Sequence, residues 1–276
     1  MGEVKGKSSA YFSKHINAAG RIDWTEAENR VWQTLIERQM AVVKDKACQP
    51  YLDGLALLQL PMDRIPQLNE VSQVLSAATG WRCEPVPALI SFDRFFELLA
   101  QKAFPVATFI RHQDELDYLQ EPDIFHEIFG HCAMLTHPAF AKFTQIYGEL
   151  GLQASKQDRV FLARLYWFTV EFGLLSKTGG CRSTKDNDIE IYGGGILSSI
   201  GETQYAYSQT PIKQPFDLLS VLRTPYRIDI MQPIYYVLDS IDCLYEISEL
   251  DIMSYVEQAK QLGLFEPLFP VKAATI

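Results

Sequence analysis

The chain is poor in the features that would mark a secreted, membrane-spanning or nucleic-acid-binding protein. Of its 276 residues only five are cysteine, at Cys48, Cys83, Cys132, Cys181 and Cys243. They are odd in number, widely spaced and form no CxxC pair. That excludes a disulfide framework and fits reduced thiols in a cytoplasmic protein. The opening stretch MGEVKGKSSAYFSKH holds no apolar run, which excludes a secretory signal peptide. Gly6 stands where a myristoylation signal needs Ser or Thr. Positive charge is in deficit: 25 Lys and Arg against 34 Asp and Glu give a net charge of −9. Nucleic acids and anionic membranes need a basic footprint, so neither is an expected partner. The most apolar stretch, Phe161 to Leu175, is too short to span a bilayer and carries Arg164 and Glu171. No repeat, low-complexity tract or linker-like shift divides the chain. Residues 21–276 therefore read as one catalytic-sized domain, with 1–20 as a flexible leading segment.

Apolar residues make up 47% and aromatics 12%, enough for a sizeable core and too many for a disordered chain. Most of the pattern is helical. Asp23 to Glu26 has capping-box spacing, with Asp23 as the cap, ahead of Ala27, Val31, Leu35, Ile36, Met40 and Val43 at helical intervals. Ile65 to Ala78 is amphipathic and stops at Gly80, and Phe92 to Ala103 stops before Pro105. Pro122 and Pro138 suit the first turns of helices over 122–134 and 138–153. A long apolar helix is expected from Asp158 to Ser176. Asp188 to Tyr192 alternates like a short strand and runs into Gly193-Gly194-Gly195, a turn or a place of close backbone approach. The expected class is a predominantly α-helical α+β domain with a few short strands.

His126 and His131 lie in Glu-Pro-Asp-Ile-Phe-His-Glu-Ile-Phe-Gly-His. Imidazole is the commonest side-chain metal ligand near neutral pH. The zinc-protease motif HExxH is absent, because these histidines are five apart, about 140° around an ideal helix. They reach one ion only if the helix ends or distorts between them, and Gly130 sits where that can happen. The bland alternative is two satisfied histidines on a half-buried helix. Glu171 is the outstanding third donor, since a lone carboxylate in an apolar run is costly to bury. Its bland alternative is an ion pair with Arg164 or another cation. Two imidazoles and one carboxylate suit non-haem Fe(II) and leave coordination positions open. Asp123 either orients a ligating imidazole or stabilises the helix N-terminus.

Six blocks carry a resemblance: IPQLNEVSQVLSAATGW (65–81), FIRH (109–112), EPDIFHEIFGH (121–131), YWFTVEFGLL (166–175), YGGGILSSIGETQY (192–205) and QPIYYV (232–237). In that order they resemble the pterin-dependent aromatic amino acid hydroxylases, and among them the short bacterial phenylalanine 4-hydroxylases. The resemblance implies Fe(II) held by His126, His131 and Glu171, with a tetrahydropterin and O2 as co-substrates. It implies that Arg111 pairs with the substrate α-carboxylate, with Ser198 at the substrate end of the Gly-rich turn and Pro122 and Trp167 as pocket walls. For the pterin it implies a stacking role for Phe95, a water-mediated contact for Glu127, and pocket-lining roles for Ala163 and Tyr166. Two positions depart from the animal enzymes: Leu119 replaces a threonine near the substrate carboxylate, and Pro105 replaces a histidine near the pterin.

The reaction so implied is L-phenylalanine to L-tyrosine, by a monomer without an amino-terminal regulatory domain. Tyrosine or tryptophan hydroxylation shares the same iron set. A non-catalytic, metal-stabilised domain that binds an amino acid or a pterin, and a zinc hydrolase, are the alternatives from other classes.

Overall fold

The computed structural model describes residues 11–87, 89–117, 121–178 and 188–270. Helix α1 spans Glu26–Val43. Its cap is Thr25, not Asp23: the Thr25 hydroxyl accepts from the Glu28 amide, and the Glu28 carboxylate accepts from the Thr25 amide. The Asp23 carboxylate is instead engaged by the Asn17 side-chain amide. Helix α2 (Gln49–Leu58) and helix α3 (Leu68–Thr79) follow, and α3 ends on Gly80 at φ 78°. Strand β1 (Arg82–Val86) leads to α4 (Phe92–Ala100). The expected helix is three residues too long, because Lys102 turns the chain at φ 55° into β2 (Ala103–Ala107). Strands β1 and β2 pair in parallel with Arg82 opposite Ala103, and Pro105 lies inside β2. A two-stranded sheet has only edge strands, and an edge tolerates proline.

The next two helical stretches are wound differently from expectation. His126–Cys132 is a π-helix that runs into α5 (Ala133–Leu135). Pro122 stands outside its first turn, since Ile124 is the first helical residue. Helix α6 covers Pro138–Gln153, as its proline suggested. Helix α7 (Lys156–Tyr166) passes into a second π-helix, Trp167–Glu171. The expected helix to Ser176 therefore breaks, and Leu174–Ser176 is strand β3. Then come β4 (Ile189–Ile191), α8 (Gly194–Leu197), α9 (Ile200–Ala206), β5 (Ile212–Pro215), α10 (Leu218–Arg223), β6 (Ile234–Leu238), α11 (Cys243–Ser248) and α12 (Ile252–Leu262). Four strands form a mixed sheet in the order β4-β3-β6-β5, antiparallel only between β3 and β4. The domain is thus mainly helical with two small sheets.

The core backs the first π-helix with aromatic rings. Trp32 meets Phe125 edge-on at 5.5 Å, and Phe125 stacks on Phe129 at 5.0 Å. The buried Tyr51 hydroxyl donates to the Phe129 carbonyl at 2.8 Å. Ahead of α1, Tyr11 stacks on Phe109 and the Lys14 amide donates to the Thr108 carbonyl. Cys48, Cys83, Cys132 and Cys243 are free thiols, and Cys181 lies outside the described residues. Among the described residues no helix is long and apolar enough to cross a membrane.

Helices α4 and α6 approach closely at Gly148, where a β-carbon would sit 2.4 Å from the Ala100 nitrogen. Backbone cannot swing aside as a flexible side chain can. Gly148→Ala should therefore separate α4 from α6 and cost about 1–3 kcal/mol, read from the urea midpoint. An unchanged midpoint would show that the two helices slide at no cost.

Candidate metal centre and its surroundings

A π-helix bonds each residue to the fifth one along, so residues five apart share a face. That winding brings together the two histidines that an α-helix would set apart. The His126 and His131 Nε2 atoms lie 3.1 Å apart. Glu171 Oε2, at the end of the second π-helix, lies 3.7 Å from the first and 3.4 Å from the second. Among the described residues this is the one cluster of His, Cys, Asp and Glu that could hold a metal ion. Three ligands at right angles around one cation, each about 2.1 Å from it, sit about 3 Å from one another. The observed triangle is close to that. Glu171 does not pair with Arg164, whose guanidinium donates to the Val160 carbonyl and lies over the Phe161 ring.

The Gly-rich turn is wedged between the two π-helices. A β-carbon on Gly194 would lie 2.4 Å from the His131 ring, and one on Gly193 would lie 2.5 Å from the Glu171 carbonyl oxygen. At Gly130 a β-carbon would meet the Gly194 carbonyl at 2.7 Å. Gly130 thus serves close approach within a continuous helix rather than a break in it. Ser198, at the end of this turn, is buried. Its hydroxyl donates to the Gly194 carbonyl at 2.8 Å and faces His126 Nδ1 at 2.8 Å. Because the hydroxyl proton is spent on Gly194, His126 Nδ1 must be the donor, which leaves a lone pair on Nε2. The ring is thereby held in the tautomer a metal ligand needs. Burial pulls His126 down to about 4, so the ring is neutral at pH 7. Burial works to raise the Glu171 carboxyl, but the hydrogen bond and proximity of His131, with His126 beside it, hold it below its ordinary value. Neutral imidazole and ionised carboxylate are the ligating forms, so the donor set fits a divalent cation.

Arg111 and Asp123 form a buried pair next to the first histidine. The guanidinium donates through Nε and Nη2 to the two carboxylate oxygens at 2.8 and 2.9 Å. The same carboxylate accepts from the Arg111 amide and from the His126 amide, each at 3.0 Å. Of the two roles open to Asp123, the structure gives it the helix N-terminus, not an imidazole. Burial would raise the Asp123 carboxyl, yet the Arg111 charge and its hydrogen bonds hold it below the usual range.

Glu127, Tyr166 and Phe95 line a second flank. Glu127 is half-buried, and the Glu171 and Asp123 charges near it are both negative; burial first, then those charges, push its carboxyl well up. Tyr166 lies close enough to feel Glu171 and Glu127, and its ring meets Phe95 edge-on at 5.5 Å. Ala163 lies one turn earlier on α7, half-buried. Half-buried Pro122 directly precedes Asp123, and Leu119 lies outside the described residues. Trp167 heads the second π-helix and is sandwiched by Phe172 and Tyr226, each at 4.5 Å. Sequence reasoning missed Tyr226, Phe172, Gln232 and Phe104, whose ring lies 5.3 Å from that of His131. Phe172 and Gln232 had a signal, as members of the blocks YWFTVEFGLL and QPIYYV, and neither block named a role for them.

A family model described as biopterin-dependent aromatic amino acid hydroxylase matches residues 5–261. The chain is 60% identical over 263 residues to the phenylalanine-4-hydroxylase of Vibrio cholerae, covering 95% of this chain and 88% of that protein. It is similar to the apo structure of the cold active phenylalanine hydroxylase from Colwellia psychrerythraea, at TM-score 0.91 and 58% identity, covering 96% of this chain and 100% of that one. It is also similar to a Chromobacterium violaceum phenylalanine hydroxylase structure with bound oxidised Fe(III), at TM-score 0.84 and 36% identity, covering 95% and 92%.

Two outcomes follow from this geometry. Ser198→Ala frees the His126 ring to take the other tautomer and should weaken Fe(II) binding about 10–100-fold, measured by competition with a chelator. Wild-type affinity in that variant would show that the clamp is not needed. Asp123→Asn leaves the Arg111 charge buried and unpaired, and should cost about 3–5 kcal/mol at pH 7. The folded carboxyl titrates below its unfolded value of about 3.9, so the pair stabilises fully above that pH. Its contribution disappears as the pH falls through the lowered folded value. Urea midpoints of the two proteins should therefore converge only in acid; a gap that persists there would refute the ion-pair origin.

Proposed function

The chain belongs to the biopterin-dependent aromatic amino acid hydroxylase family, and from that premise we infer that it hydroxylates L-phenylalanine to L-tyrosine. Iron and a tetrahydropterin are its cofactors, with O2 as co-substrate. The observation that carries the reading is the compact triangle of His126 Nε2, His131 Nε2 and Glu171 Oε2 at the meeting of two π-helices. When bound, iron(II) and the tetrahydropterin supply the activation of O2 that the side chains of a protein cannot provide.

The chain's own residues bind, orient and exclude water. Arg111 receives the substrate α-carboxylate. Two of its five N–H groups go to Asp123, and the remaining three are free to donate on the other edges of the guanidinium. Asp123 fixes the plane of that guanidinium, so the amino acid enters in one orientation. Its side chain then lies against Trp167 and Pro122, the aromatic and cyclic walls next to the ligand set. Phe95 stacks on the pterin, while Glu127, Ala163 and Tyr166 line the same flank; Glu127 faces the pterin's polar edge. Ser198 holds the proton on His126 Nδ1, so Nε2 stays a lone-pair donor throughout. The aromatic lining keeps water from the reacting ring. We place the enzyme in the cytoplasm, because the free thiols fit a reducing compartment.

Fe(II)-loaded protein given tetrahydropterin, L-phenylalanine and air should produce tyrosine, at a higher kcat/KM than it shows for L-tyrosine or L-tryptophan. His126→Ala should keep the fold and lose both iron and turnover. Faster turnover of tyrosine or tryptophan would overturn the substrate assignment, and an active His126→Ala protein would overturn the ligand assignment.

A further inference from the structure

Trp167 stands four residues before the metal ligand Glu171, and its indole is held on three sides. Phe172 and Tyr226 sandwich the ring, the second nearly parallel at 19°. The third contact is polar: the indole Nε1–H donates to Gln232 Oε1 at 3.0 Å. Gln232 is 1% exposed and comes from the segment entering β6, 65 residues further along the chain. Its amide nitrogen donates both protons, to the Arg227 and Ile230 carbonyls, each at 2.9 Å. Both amide protons are used, and the amide cannot flip without placing two carbonyls against an oxygen. The oxygen therefore has to face the indole. Glutamate would lack the donors, and asparagine is one methylene shorter.

The loop that Gln232 holds also carries Tyr226, the other face of the sandwich. Tyr226 lies close enough to Glu171 to feel its charge. The Trp167 carbonyl accepts from the Phe172 amide at 2.8 Å, the i→i+5 bond that closes the turn carrying Glu171. A shift of the indole therefore has two consequences: it moves the wall of the pocket, and it loads the turn that aims the carboxylate ligand. We propose that Gln232 is a positioning residue for substrate selection, which locks the Trp167 indole at one depth beside the metal ligands and so sets which aromatic side chain fits. The proposal rests on the hydroxylase reading above. Gln232 acts through Trp167 and touches no substrate atom.

The test is a double-mutant cycle with Gln232→Met, which keeps the volume and removes the hydrogen bonds, in wild-type and in Trp167→Phe protein. Phenylalanine binding to the iron-loaded proteins is measured by calorimetry, alongside KM, kcat and the ratio of kcat/KM for phenylalanine over tryptophan. In wild-type protein Gln232→Met should weaken phenylalanine binding and raise KM about three- to tenfold, change kcat less, and narrow the preference for phenylalanine over tryptophan. In the Trp167→Phe background, where no indole N–H exists, the same substitution should change binding and KM less than about twofold. Equal effects in both backgrounds, or a fall in the urea midpoint with binding and preference untouched, would overturn the proposal. The binding arm separates it from the hydroxylase reading: a wild-type protein that binds phenylalanine without making tyrosine refutes the reaction, and the cycle still decides the role of Gln232.

Discussion

The site depends on a helix wound with five residues to the hydrogen-bonded step. With α-winding, His126 and His131 point about 140° apart and cannot share an ion. With π-winding their Nε2 atoms meet at 3.1 Å. A π-turn packs its backbone less favourably than an α-turn and survives where tertiary contacts hold it. Here the holding groups are identifiable. The Trp32, Phe125 and Phe129 rings back the first π-helix, and the Tyr51 hydroxyl takes the Phe129 carbonyl. In the second, the Thr169 hydroxyl takes the Leu165 carbonyl, and the Phe172 amide closes onto Trp167.

The glycines at 193–195 join the two windings into one site. Each π-helix carries part of the ligand set, and neither can set the distance to the other. The turn fills the gap with backbone alone, touching His131 through Gly194 and Glu171 through Gly193 and Gly195. The same turn then supplies Ser198, which fixes the His126 tautomer. The separation between the ligands and the protonation of one of them are therefore set by a single short segment. That is why a run of three glycines stands where a longer side chain at any position would displace a ligand.

The ligands were legible in the sequence through the six ordered blocks that carry the family resemblance. Their chemistry alone left open two satisfied histidines on a helix and an ion-paired Glu171. The winding was not legible: EPDIFHEIFGH and YWFTVEFGLL have the composition of ordinary amphipathic helices, and the choice of π over α is made by contacts from distant segments. The helix boundaries went wrong for related reasons. Asp23 and Thr25 both have cap chemistry, and the winner was decided by Asn17, which occupies the Asp23 carboxylate. Lys102, at positive φ, carries no sequence signal for ending α4 early. Asp123 was readable as a group near the histidines, but its pairing with Arg111 depends on how two segments cross. Tyr226 was invisible as a site residue, and Gln232 carried no readable role, because each acts only by reaching Trp167 across some sixty residues of chain.

Charge decides what such a centre can hold. The charge of Asp123 is offset at the ligands by Arg111, which pairs with it within hydrogen-bonding distance. Both imidazoles ligate as neutral groups, and the site's donor set therefore carries one negative charge, that of Glu171. A divalent cation on that set keeps a net charge of about +1, where a set of three carboxylates would overcompensate it. The residual positive charge faces a flank that contains Glu127, a carboxyl whose other charged neighbours, Glu171 and Asp123, are negative. Repulsion between Glu127 and Glu171 opposes having both ionised in the bare protein, and a cation between them relieves it. The second carboxyl thus favours a cation at the centre without joining the ligand set, which leaves the remaining coordination positions free for exchangeable ligands.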